Sequence, residues 1–164
     1  MSDILGVYAF IRDLDVRYGD VRPTVYGIDE LPGALSRAQL PARLLYPFST
    51  LSEDLTGRFG SISGRLVTVD WSILDLYLHQ PVKQGTGLYD VADDIIGYCG
   101  AYADAIRGKV NVAPSSGGYG HDQATLQDVR FLPGIWPWPM DAPEDAVVEY
   151  YGVAVVLSVR EHIS

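Results

Sequence analysis

The chain has 164 residues, 48% of them hydrophobic, and sets 12 lysines and arginines against 21 aspartates and glutamates, for a formal charge of −9. That balance argues against a surface that grips phosphates from outside, which needs clustered Lys and Arg, although an acidic wall can let DNA pass by repelling it. No apolar run is long enough to span a bilayer, and the single cysteine, Cys99, rules out an internal disulfide and points to no oxidising compartment.

One domain, residues 1–164, is expected at this length. The opening, MSDILGVYAFIRDLD, is acidic where a secretory signal is basic and lacks a small-residue cleavage site, so the segment is expected to be retained. Ile4, Val7, Tyr8, Ile11 and Leu14 repeat at helical spacing. The pattern predicts a helix over 3–18, with Ser2 as its cap, Gly19 as its stop and Arg12, Asp13 and Arg17 on its charged face. Residues 19–40 are punctuated by Gly and Pro and read as a connection, with at most one helical turn near Ser36. Residues 41–47 (PARLLYP) read as the first strand of the sheet, confined by its prolines.

Residues 48–65 are rich in Ser, Thr and Gly and offer a hairpin partner for the strand that begins at Leu66. The stretch over which the chain is organised runs from 71 to 108. In it Leu74, Leu76 and Leu78 point one way while Trp71, Ile73, Asp75 and Tyr77 point the other, the period of a strand. Continued back to Leu66, that strand has about fourteen residues, long enough to call for a bulge near Asp70. The alternation assigns Asp75 to a solvent or interface face; the other reading is a buried acid that needs a partner. After the turn HQPVKQGTG the period lengthens, and Leu88, Val91, Ala92, Ile95, Cys99, Tyr102 and Ile106 form one helical stripe.

Residues 111–122 (NVAPSSGGYGHD), which include Tyr119, are too small and polar to hold a core and read as a mobile loop. Residues 125–132 alternate as a strand that Pro133 closes. The Pro/Trp-rich segment 133–146 then reads either as a rigid loop over the domain's own core or as an aromatic projection for a partner, with Trp136 and Trp138 as its anchors. Residues 147–163 form the strongest strand, long enough to pair with 125–132 as an antiparallel hairpin. The order helix, strand, strand, helix, strand, strand predicts an α+β domain. Its antiparallel sheet has about four main strands, with two helices packed on one face, long loops and a possible extra hairpin.

No catalytic constellation is visible. His79, His121 and His162 are scattered, no paired metal-ligand spacing or G-x-S-x-G elbow exists, and Asp90, Asp93 and Asp94 suit the start of a helix. No enzyme activity, cofactor or metal is therefore expected.

The order of elements and several phrases resemble the tail-terminator (tail-completion, neck) proteins of tailed bacteriophages and prophages. The resemblance rests on the first helix, PARLLYP at 41–47, WSILDLYL at 71–78, QGTGL at 84–88 and the closing strand at 150–162. It implies a structural virion protein, made in the host cytoplasm, that forms a homo-oligomeric ring, typically a hexamer, capping the tail tube and joining it to the head. The implied partners are further copies of the chain, the tail tube protein and a head-side connector protein, with no membrane. DNA would slide through the lumen without specific binding, which the acidic balance suits. Loop 111–122 or segment 48–63 is expected to face the lumen or tube. Trp136, Trp138, Tyr119, Arg12, Arg17 and Asp75 are the candidate interface residues. The alternatives are another head–tail connector or tail tube subunit, or, from a different class, a small-molecule-binding domain or enzyme with a pocket under the Trp/Pro loop.

Overall fold

The structure is a computed structural model, and it describes residues 4–46, 58–63, 66–109, 111–113, 123–140 and 142–163. Its frame is one sheet of seven strands: β1 (Thr24–Tyr26), β2 (Ala42–Tyr46), β3 (Arg58–Ser63), β4 (Leu66–Pro81), β5 (Asn111–Ala113), β6 (Gln123–Trp138) and β7 (Val148–Ile163). The order across the sheet is β1-β2-β4-β7-β6-β5, and β3 pairs with the first part of β4, on Leu66 to Asp70, beyond which β2 takes Leu74 to Leu78. All pairings are antiparallel except β1 with β2, which makes the sheet mixed. The domain is thus α+β, with five strands of five residues or more where the sequence predicted about four.

The central pair, β4 and β7, follows the alternation read from sequence. Ile73, Tyr77, Val153, Val155 and Leu157 face one way and are buried, and Leu74, Leu76, Leu78, Ala154 and Val156 face the other and are buried too. Burial of each such side chain contributes about 1.5–3 kcal/mol over leaving it in water. Two helices, α1 (Ile4–Arg12) and α2 (Ala92–Ile106), cover the first face through Val7, Ile11, Ile95, Tyr98, Tyr102 and Ile106.

The second face has a cover that the sequence does not announce. Leu31, Leu35 and Leu40, from the segment that reads as a bare connection, lie over Leu44, Leu74 and Leu76, and Trp138 donates its indole N–H to Pro32 O at 3.0 Å. Part of the same segment is β1, so residues 41–47 do not supply the first strand. The expected single turn near Ser36 is present at Arg37–Gln39.

Other boundaries differ for identifiable reasons. The first helix ends at Arg12, six residues before Tyr18. Beyond it Leu14 and Val16 are buried while Asp15 and Arg17 are exposed, a period of two, and Gly19 (φ 58°) serves the turn of the Tyr18–Val21 bridge. The bulge in β4 falls at His79, between Leu78↔Gly152 and Gln80↔Tyr151, and no register shift occurs near Asp70 between β4 and β7. The expected hairpin partner of β4 is β3, whose own irregularity lies between Phe59 and Ser61. Residues 111–113, a loop by sequence, form β5 on β6, and the rest of that loop, with Tyr119, lies outside the described residues, as do residues 48–57 of the segment 48–63.

The largest correction is in β6. The strand passes through Pro133 and Pro137 to Trp138, in unbroken register with β7 from Asp128↔Ser158 to Trp138↔Val148. Val82 N–H donates to Glu149 O at 2.9 Å, so the odd-numbered backbone groups of β7 near its start face β4 and the even-numbered ones face β6. Both prolines therefore sit at β6 positions whose nitrogens face away from β7, where no ladder bond is lost. Among the described residues β5 pairs only with Ala124 and Thr125, so that far edge is otherwise open.

Candidate functional site

The residue expected at an interface, Asp75, lies inside. It is 0% exposed, and its partner is Arg43, itself 1% exposed, which stands on β2 diagonal to it across the β2–β4 ladder. Arg43 Nε donates to both carboxylate oxygens at 3.1 and 2.8 Å, and Nη2 approaches Oδ2 at 2.8 Å. Tyr102 on α2 adds its hydroxyl to Asp75 Oδ2 at 2.7 Å. The other side of the guanidinium reaches the end of α1, where Nη1 donates to Leu14 O at 2.9 Å and Nη2 to Ile11 O. A strand residue so adds a second donor to Ile11 O, which already accepts from Leu14 N–H at 3.2 Å, and takes up Leu14 O just past the end of α1. The sequence shows Arg43 only as part of a strand; its position on the Asp75 face is the signal that could have paired them.

Burial opposes the guanidinium charge, but the Asp75 carboxylate outweighs it and holds the Arg43 pKa above its ordinary value. Burial, reinforced by Asp75, also pushes the Tyr98 and Tyr102 hydroxyls well up. Tyr77, stacked on Tyr98 with ring centroids 3.7 Å apart, is raised by burial and then by Asp94. These three phenols keep their protons when folded but lose them near pH 10 when unfolded. Stability is therefore whole below pH 10 and falls above it, by up to about 1.4 kcal/mol per pH unit for each phenol. Melting temperatures measured across this range are expected to drop steeply; a flat profile would show that these hydroxyls do not stay protonated in the folded chain.

Next to this centre, the bulge residue His79 sits with Nδ1 2.9 Å from the Tyr77 hydroxyl and Nε2 3.4 Å from Asp94 Oδ2. With the proton on Nε2, Tyr77 donates to the ring and the ring donates to Asp94. These contacts tie α2 to the end of β4. Tyr77 is only 3% exposed, and none of the three hollows described below is lined by Tyr77, His79 or Asp94. Among the described residues no group of three or more His, Cys, Asp or Glu is placed to hold a metal ion.

The other candidate residues do not converge. Trp138 is 3% exposed, packed edge-on against Tyr46 at 5.8 Å, and belongs to the domain's own core rather than to a partner surface. Trp136 is half-buried and donates its indole N–H to Leu132 O at 3.1 Å. Arg12 is exposed beside Asp13 at 3.1 Å, and Arg17 pairs with Asp15 at 2.7 Å, as surface side chains do.

Of the hollows, one of about 280 Å3 is lined by Leu5, Tyr8, Ala9, Arg12, Gly27, Ile28, Asp29 and Leu45. A second, of about 320 Å3, is polar and reaches Arg43 between Asp15, Arg17 and Arg22, and a third, open cleft lies between Tyr18 and Gly97, Ala101 and Ala105. None of the three uses a residue of the Trp/Pro stretch, beneath which the alternative reading of a binding domain or enzyme sets its pocket.

What the surface does present is apolar bulk. Tyr89 is 96% exposed, Leu5 68% and Ile96 65%, all in or beside the helix layer. The β6 edge is a poorer place to join another chain. Its outward positions include Pro133 and Pro137, which cannot donate, and Asp128 and Arg130 lie along it, both common ways of blunting a sheet edge. No family model matches the chain, and neither the curated proteins nor the solved structures contain a match to it.

Proposed function

We propose that the chain is a structural subunit that works by assembling with copies of itself, as the tail-terminator ring at the neck of a tailed phage or prophage. The observation that carries the reading is the exposure of Tyr89, Leu5 and Ile96 in and beside the helix layer. Contiguous apolar surface left in water marks a contact site, and in the ring these side chains would be covered by neighbouring copies. The buried Arg43–Asp75 pair belongs to the scaffold, because both side chains join β2, β4, α1 and α2. The charge of −9 suits a channel wall past which DNA slides. In this reading the ring sits on the tail tube and meets the head-side connector.

Light scattering across a hundredfold range of concentration, alone and with tail tubes, tests the proposal. A ring several times the 18.0 kDa subunit mass is expected. A chain that stays monomeric even with tail tubes is not such a subunit.

A further inference from the structure

We infer that the polar hollow beside the Arg43–Asp75 pair is a seat for a phosphate group, free in solution or carried by a small molecule. The hollow, of about 320 Å3, lies between residues 13–17 and β1, and its wall holds Arg17, Arg22 and Arg43. The fold brings these three together. The Tyr18–Val21 bridge turns the chain back so that Arg17 and Arg22 stand side by side, and β1 runs along β2 with Val25 of the wall opposite Arg43. Arg43 is the deepest of them, its side chain 1% exposed against 55% and 61% for Arg17 and Arg22. Asp75 holds it from β4, on the side away from β1. A guanidinium carries five N–H groups, and Arg43 Nη1 gives only one of its two hydrogens, to Leu14 O at 2.9 Å. The other has no acceptor among the described residues, and a charged donor this deeply buried calls for one.

Asp15 marks where the anion sits. Its carboxylate draws in Arg17 at 2.7 Å and Arg22 at 3.7 Å, and it is itself 59% exposed. Exposed pairs of this kind contribute little, so a phosphate, with more oxygens and more charge, displaces the carboxylate and keeps both arginines satisfied. Asp13, the other acid of the wall, is turned to Arg12 at 3.1 Å. Phosphate oxygens point in tetrahedral directions, which suits donors that approach from three sides better than a flat carboxylate does. The overall charge of −9 governs the open surface, whereas in this recess three guanidinium groups face two carboxylates. The seat is complete within one copy of the chain and does not need a ring.

Calorimetric titration of the full-length chain with inorganic phosphate, alongside nitrogen-edited NMR of the arginine side chains, tests the seat. Saturable binding at a single site per chain is expected, with the guanidinium N–H signals of Arg43 shifting as it fills. Arg22→Gln is expected to weaken binding at least about tenfold, the loss of one charge-assisted hydrogen bond. Asp15→Asn is expected to strengthen it, because the resident competitor is gone. Arg130→Gln removes the same charge from an equally exposed side chain on β6, outside the wall, and should leave the affinity nearly unchanged. Acetate should bind at least about tenfold more weakly than phosphate, having fewer oxygens and less charge to offer. No saturable binding at millimolar phosphate, an Arg43 signal that does not move, equal losses in Arg22→Gln and Arg130→Gln, or acetate binding as tightly as phosphate would each overturn the seat.

Discussion

Asp75→Asn is expected to lower stability by about 3–5 kcal/mol, because it leaves the Arg43 guanidinium charged inside the domain without its counter-ion. The two side chains are 1% and 0% exposed and 2.8 Å apart. The double replacement Arg43→Met with Asp75→Leu separates two effects. It removes both charges and with them the penalty of an unpaired ion, and pairs of this kind are often replaced by apolar residues at little cost. Here the cost does not vanish, because Leu14 O and the Tyr102 hydroxyl lose these partners together, while Ile11 O keeps Leu14 N–H. Each buried orphan costs about 1–3 kcal/mol. The double variant should therefore lose about 2–6 kcal/mol in urea unfolding, a loss comparable with that of Asp75→Asn. Were Asp75→Asn within about 1 kcal/mol of wild type, the pair would not be a buried, dry contact.

Gly152→Ala is expected to cost about 3 kcal/mol, at the upper end for overpacking, by pushing β7 off β4. A Cβ at this position would run into the Tyr77 carbonyl oxygen and come within 3.2 Å of Leu78 Cα, both backbone atoms that cannot swing aside. The closeness has a local cause. Gly152 pairs with Leu78 immediately before the His79 bulge, where β4 bends towards its neighbour. For a domain of this size the loss corresponds to a fall of about 6–12 °C in melting temperature, which differential scanning calorimetry would register. Gly134→Ala, on the adjoining strand where a Cβ meets nothing within 4 Å, is the control and should leave the melting temperature nearly unchanged.

The two long strands at the centre are legible in the sequence because both of their faces are apolar and the alternation runs through β4 and β7 with one interruption, at His79. The same alternation sets Asp75 on the correct side of the strand and still misjudges its surroundings. A period of two says which residues share a face, and nothing about what lies over it; the cover comes from α1 and α2, and the counter-ion from β2. The contact at the end of α1 is hidden for a related reason, since the group that bonds Ile11 O and Leu14 O lies 32 residues on from Ile11, at Arg43. Pro133 reads as a stop because a proline breaks an interior strand, but its tolerance depends on which neighbour the nitrogen faces, which only the sheet order decides. The cover of the second face is inconspicuous because Leu31, Leu35 and Leu40 sit among Gly and Pro without a regular period. Nothing in the sequence singles out Tyr89. It adjoins the helical stripe, and its exposure becomes plain only once Val91 and Ile95 are seen to take the core.

Whether the chain works as a member of a closed collar is tested most directly by weighing the assembled species, by native mass spectrometry of the purified chain with and without tail tubes. One discrete mass is expected, a small whole-number multiple of the 18.0 kDa subunit, with six the number that the family resemblance implies. A single subunit mass under both conditions, or an open-ended series of masses that never closes, would contradict it.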